Sequence, residues 1–136
     1  MWIYATVGMS GTYSGHLIEL HLFSPTQQIE SHVELLTVVA HYHLTRARLG
    51  LHHTVNFGRP WLPDSDCQHG LISLPYLDGE KMEIMNLKEK HIHCLWLIPI
   101  TKKEIDFVLE KGLEALETAF ESSKFNYLDP YRPSVV

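Results

Sequence analysis

No lysine or arginine occurs before Arg46, so the N-terminus lacks the positive start of a secretory signal. The longest strongly apolar run, Leu95 to Ile100, is far too short to cross a bilayer. Two cysteines, Cys67 and Cys94, are too few for a disulfide framework, and no Asn-x-Ser/Thr acceptor for glycosylation is present. Together these absences predict a cytosolic protein with reduced thiols. There is no G-x-x-x-x-G-K-[ST] loop and no G-x-G-x-x-G after a strand, which removes the commonest phosphate cradles. Basic charge is also scarce. With 11 Lys and Arg against 16 Asp and Glu, the net charge of -5 argues against nucleic acid or an anionic membrane as partner.

What remains is suited to one folded domain spanning residues 1 to 136, with 45% apolar residues to supply a core. No internal repeat, low-complexity stretch or linker divides it. The ten histidines are many for this length, and their titration near pH 6.5 would cancel much of the negative charge on mild acidification.

Trp2 to Gly8 is rich in β-branched and aromatic residues and stops at the loop signal Gly8-Met9-Ser10-Gly11, which predicts a strand. His16 to Phe23 predicts a second, with Ile18, Leu20 and Leu22 on one face. Ser24-Pro25-Thr26-Gln27 has the form of a capping box with proline at the first helical position. A helix is expected from residue 25 to about 47, its stripe made by Ile29, Val33, Leu36, Val39, Ala40 and His43. Short extended pieces follow at His53 to Phe57, Leu71 to Leu74 and Met82 to Met85. His91 to Pro99 is the most apolar strand and should lie centrally, covered on both faces. Thr101-Lys102-Lys103-Glu104 is a second capping box. It opens a helix expected over 101 to 123, with Ile105, Val108, Leu109, Leu113, Leu116 and Phe120 as its stripe. The tail beyond Phe125 contains Asp129-Pro130 and Pro133 and cannot continue that helix. Its Phe125, Tyr127 and Tyr131 suit docking on the body or, in a homodimer, on a second subunit. The expected class is α+β, a mainly antiparallel or mixed sheet packed against two principal helices.

Few chemical constellations survive inspection. His41 and His43 sit two apart on a helix, so their side chains diverge. His91 and His93 alternate on a strand and share a face, a spacing that permits chelation, but two ligands do not make a site; His52, His53 and His69 are the residues that could complete one. Cys67 with His69 two residues on has the form of an activated nucleophile, and Ser10 in Gly-Met-Ser-Gly only superficially resembles a nucleophile elbow. No metal and no cofactor is expected. Arg59-Pro60-Trp61-Leu62-Pro63-Asp64-Ser65-Asp66-Cys67-Gln68-His69-Gly70 reads instead as a presented loop, with an aromatic between two prolines and two nearby carboxylates. The competing reading of Trp61 is a lid folded down on the core.

Taken in order, these landmarks resemble the suppressor-of-fused domain family, especially its short bacterial members. Tyr4-Ala5-Thr6-Val7-Gly8-Met9-Ser10 is similar to the family's strand ending in a Gly-Met-Ser turn, and Ile18-Glu19-Leu20 to its Glu-Leu strand. His52-His53-Thr54-Val55 matches a His-Thr segment, and Leu71-Ile72-Ser73-Leu74-Pro75-Tyr76 and Leu97 to Glu104 complete the likeness over most of residues 2 to 120. Many members carry an additional helix and strand before the position matching Trp2, so a sheet edge is expected to be uncovered here. The resemblance implies a non-enzymatic protein-binding module. Its most concrete form is an immunity-type protein that neutralises a bacterial toxin, and the acidic balance suits a basic toxin domain. Trp61, Asp64, Asp66, His69, Tyr76 and Asp78 are the expected partner-binding residues. The alternative is a small metal- or cysteine-dependent hydrolase.

Overall fold

In the computed structural model, residues 1–11, 17–76, 83–87 and 90–136 are described. They form strands β1 (Trp2–Ala5), β2 (Ile18–Ser24), β3 (Thr54–Asn56), β4 (Cys67–Ser73), β5 (Ile84–Leu87) and β6 (Lys90–Thr101). The helices are α1 (Ile29–Thr45), α2 (Lys102–Lys111) and α3 (Leu113–Ser123). The strands make one mixed sheet in the order β1-β2-β6-β4-β3, with β5 also paired to β6. β2 and β6 run parallel; every other pairing is antiparallel. The fold is α+β, as the sequence implied.

β6 is central because it is buried on both faces. Leu95 and Leu97 join Ile18, Leu20, Leu22 and Ile72 in a core closed by Leu35, Leu36 and Val39 of α1. Trp96, Ile98 and Ile100 point the other way and join Phe23 and Leu71 in a second core closed by Leu116 and Phe120 of α3. The sheet is thus a middle layer between α1 and the α2–α3 pair. Pro99 is tolerated in this strand for a local reason. Its carbonyl accepts from Arg132 Nη2 at 3.0 Å and so faces away from β4, and the pairing of β6 with β2 stops at Trp96.

Three expectations need correction. The helix expected from residue 25 starts at Ile29, without a side-chain cap. Ser24 completes β2 instead, where it is buried, donates to the Thr26 carbonyl and meets His32 Nε2 at 2.9 Å, so its hydroxyl is not free to cap a helix. The buried stripe of α1 is rotated accordingly: His32 and Leu35 face inward, while Ile29 and Val33 are more than half exposed. The single helix expected over 101–123 is two, because Gly112 takes φ 91° and resets the helical phase, leaving Leu109 81% exposed. The second capping box forms as expected: Glu104 N donates to Thr101 Oγ1 at 3.2 Å and Thr101 N to Glu104 Oε2 at 2.8 Å.

Candidate functional site

The face of the sheet under α3 is only partly covered. On that face Leu71 lies opposite Ile98, and Ser73 opposite Trp96, giving a floor of two cross-strand pairs. α3 supplies one wall through Glu117, Phe120 and Glu121, which recur at three- and four-residue spacing and so share a helix face, and Lys124 follows at its C-cap. The opposite end is closed by Phe125 and Tyr127, which follow the left-handed residue Lys124 (φ 49°) as the chain turns back. Phe125 stacks on Phe120 with ring centroids 4.3 Å apart, and Tyr127 meets Trp96 edge-on at 5.3 Å. The result is an open, largely apolar groove of about 460 Å³, with Tyr76 on its lip.

One polar atom in the groove is out of keeping with its surroundings. Glu117 Oε1 is shut off from water, and among the described residues nothing donates to it. Glu121 adds a second carboxylate and Lys124 an exposed ammonium at the far end. The tail that builds the aromatic end is fixed from below by Arg132. Both members of its ion pair with Glu104 are buried, with Nη1–Oε1 at 2.7 Å and Nη2–Oε2 at 2.9 Å.

The residues expected to bind a partner are divided by the structure. Tyr76 stands 61% exposed at the groove. His69 lies on the same face of β4, further along the strand, where burial and then the Lys102 charge lower its pKa. Asp64 and Asp66 are exposed in the loop before β4, with Asp64 at φ 63°. Asp78 lies outside the described residues. Trp61 is not presented to solvent: it is 1% exposed, its Nε1 donates to Ser65 Oγ at 3.1 Å, and its ring stacks on His32 within the α1-side core. The prolines around it stiffen a loop whose large apolar ring gains more by completing the core than by facing water.

The chemical alternatives fare differently. Cys67 is buried, and that burial raises its thiol pKa, the reverse of what a nucleophile needs. His91 is exposed and its Nδ1 meets Asn86 Oδ1. Among the described residues no three His, Cys, Asp or Glu converge on a point where they could hold a metal. Ser10 donates to Glu19 Oε1 at 2.9 Å. Burial pushes Glu19 up, but hydrogen bonds from Thr6, from Ser10 and from Gly8 N outweigh it and hold the carboxyl below its ordinary range. It acts as the clamp of the Gly-Met-Ser turn. Among the described residues no helix is long and apolar enough to cross a membrane.

Sequence reasoning named Tyr76 as a partner contact and Phe125 and Tyr127 as docking residues, but gave no place in a groove to Glu117, Glu121 and Lys124. Their only signal was the spacing around Phe120, which marks one helix face without saying whether that face is covered.

Comparison with known proteins gives a consistent family. The family model described as Suppressor of fused protein (SUFU) matches residues 1–133. A solved suppressor of fused homologue from Neisseria gonorrhoeae FA 1090 is 34% identical, covering 99% of this chain and 70% of its own, with TM-score 0.86. The fold is also that of Drosophila Suppressor of Fused, at 12% identity, TM-score 0.71, and 98% and 38% of the two chains. It recurs in a Sufu–Fu complex, at 12% identity and TM-score 0.70, covering 98% and 69%. Immunity protein YqcF of Bacillus subtilis (strain 168) is 27% identical over 73 residues, 54% of this chain. The matched stretch spans only 38% of that relative's length.

Proposed function

The chain belongs to the suppressor of fused family, and from that premise we propose that it is a non-enzymatic protein-binding module of immunity type, which neutralises a basic toxin domain by binding it. The observation that carries this reading is the groove between α3 and the sheet: apolar on its floor, acidic on its helix wall, and open to a protein segment. The immunity protein among the relatives supports the toxin reading, and the net charge of -5 favours fast encounter with a basic partner. Asp64 and Asp66 belong to this reading as exposed charges that attract the partner, and Tyr76 as a contact on the groove's lip.

Co-expression with the product of the gene immediately upstream tests it. That product alone should arrest growth, and this protein should restore growth and co-purify with it as a stoichiometric complex. Continued arrest with no complex would reject toxin neutralisation.

A further inference from the structure

A carboxylate oxygen that is shut off from water and accepts no hydrogen bond is rare in a folded protein, because its desolvation goes uncompensated. Among the described residues Glu117 Oε1 is such an atom, and Glu117 itself is only half-buried and lines an open groove rather than a closed core. Packing alone does not account for a glutamate there, since an apolar residue would fill the same place at lower cost. We propose that Glu117 is the residue by which the groove reads its partner: its carboxylate turns toward the groove and accepts a hydrogen bond from an arginine side chain that a protein partner inserts beside Trp96 and Tyr127. This inference rests on the protein-binding reading above and names the chemistry that the groove selects.

Three observations make arginine the fitting occupant. The groove's aromatic side chains, Trp96, Phe125 and Tyr127, offer faces and edges on which a planar, weakly hydrated guanidinium packs better than an ammonium. Among the described residues the charged groups lining the groove are Glu117, Glu121 and Lys124, whose balance is negative, in line with the whole chain. Its volume of about 460 Å³ falls within the range, roughly 300–1,000 Å³, of pockets that enclose a ligand group. A neutral or acidic segment would cover Glu117 and leave its charge without a counterpart, which disfavours such partners.

The test uses the whole chain and two capped tripeptides, acetyl-Leu-Arg-Phe-amide and the same peptide with citrulline, a neutral near-isostere, in place of arginine. Binding is followed by NMR at the Trp96 indole and the amides of residues 117–127. The arginine peptide should shift these signals and bind about tenfold or more tighter than the citrulline peptide, as expected for a charge-assisted hydrogen bond. Glu117→Gln should bring the two affinities within about twofold. Glu117→Leu, which fills the site with an apolar group, should do the same and serves if the glutamine variant does not fold. Equal affinity of the two peptides for the unmodified protein would overturn the proposal. So would no shift in the groove, or an arginine preference that survives both substitutions. Self-association that either peptide disrupts equally would seat a second copy of the chain in the groove and also overturn it. The peptides contain no toxin, so a protein that prefers arginine through Glu117 yet neutralises nothing fails only the functional reading. Neutralisation with an affinity unchanged by Glu117→Gln fails only this one.

Discussion

Glu104 and Arg132 lie 28 residues apart in the chain and meet in the interior as a two-point ion pair, with both side chains buried. Glu104 closes the capping box of α2 on Thr101 while holding the tail through Arg132 and, at 3.1 Å, through the Val135 amide. Arg132 in turn donates to the Pro99 carbonyl, a β6 acceptor that lies beyond the stretch paired with β2. One carboxylate therefore joins the start of a helix, the end of the central strand and the segment that carries Phe125 and Tyr127 into the groove.

Arg132→Ala should destabilise the fold by about 3–5 kcal/mol, because it strands a buried carboxylate rather than merely deleting a contact. Arg132→Lys should fall between the two, keeping the charge and losing the two-point geometry. Urea unfolding at neutral pH measures both. A loss below about 1 kcal/mol for the alanine variant would show that the tail is not held by this pair.

His32 carries a pH dependence of known sign. Its ring is fully buried against Trp61 and Tyr4, and burial, then the nearby Arg59 charge, push its pKa down to about 4. The Ser24 hydroxyl proton is already given to Thr26, so Nε2 donates to Ser24 Oγ and the neutral ring is the form that fits. A lowered histidine pKa means that the unfolded chain takes up the proton first. The stability is fully present above about pH 6.5 and is lost as pH falls from there toward 4, by about 3 kcal/mol in total. His32→Gln should shrink the stability lost over that interval by about this amount, measured by urea unfolding at a series of pH values. An unchanged pH profile would contradict the assignment.

Trp61→Ala should act on stability and not on the lifetime of a complex. The ring is part of the α1-side core, and its removal should cost about 3–5 kcal/mol. Thermal unfolding checks this, and a melting point shifted by less than about 2 °C would place the ring outside the core.

Asp64→Asn with Asp66→Asn should slow association with a basic partner severalfold and flatten its salt dependence, while leaving dissociation and folding nearly unchanged. Both side chains are exposed and neither lines the groove, so their contribution is to the field that the partner meets on approach. Stopped-flow association at several salt concentrations reads this. Unchanged association rates would remove the loop from the encounter.

The parts legible in the sequence were those dictated by local rules. The centrality of β6 followed from its unbroken apolar run, and the start of α2 from Thr101 and Glu104 at capping-box spacing. The parts that were not legible depend on distant partners. Ser24 reads as a helix cap until His32 and the β2 ladder claim it, and Leu109 reads as core until Gly112 turns the helix away. Trp61 shows why a presented loop and a folded-down lid share one sequence signature: proline stiffening favours both, and only the space beside His32 decides. Glu117 was invisible for the same reason, since an unpaired oxygen is a property of the assembled groove and not of its helix.

Hydrogen exchange of the protein, free and bound to a protein partner, tests most directly that this groove is where a protein is held. Added protection should appear in residues 71–76 and 113–127, with little change in β1 or in the Trp61 to Asp66 loop. Protection confined to β1 or to that loop, with 113–127 unchanged, would contradict the account.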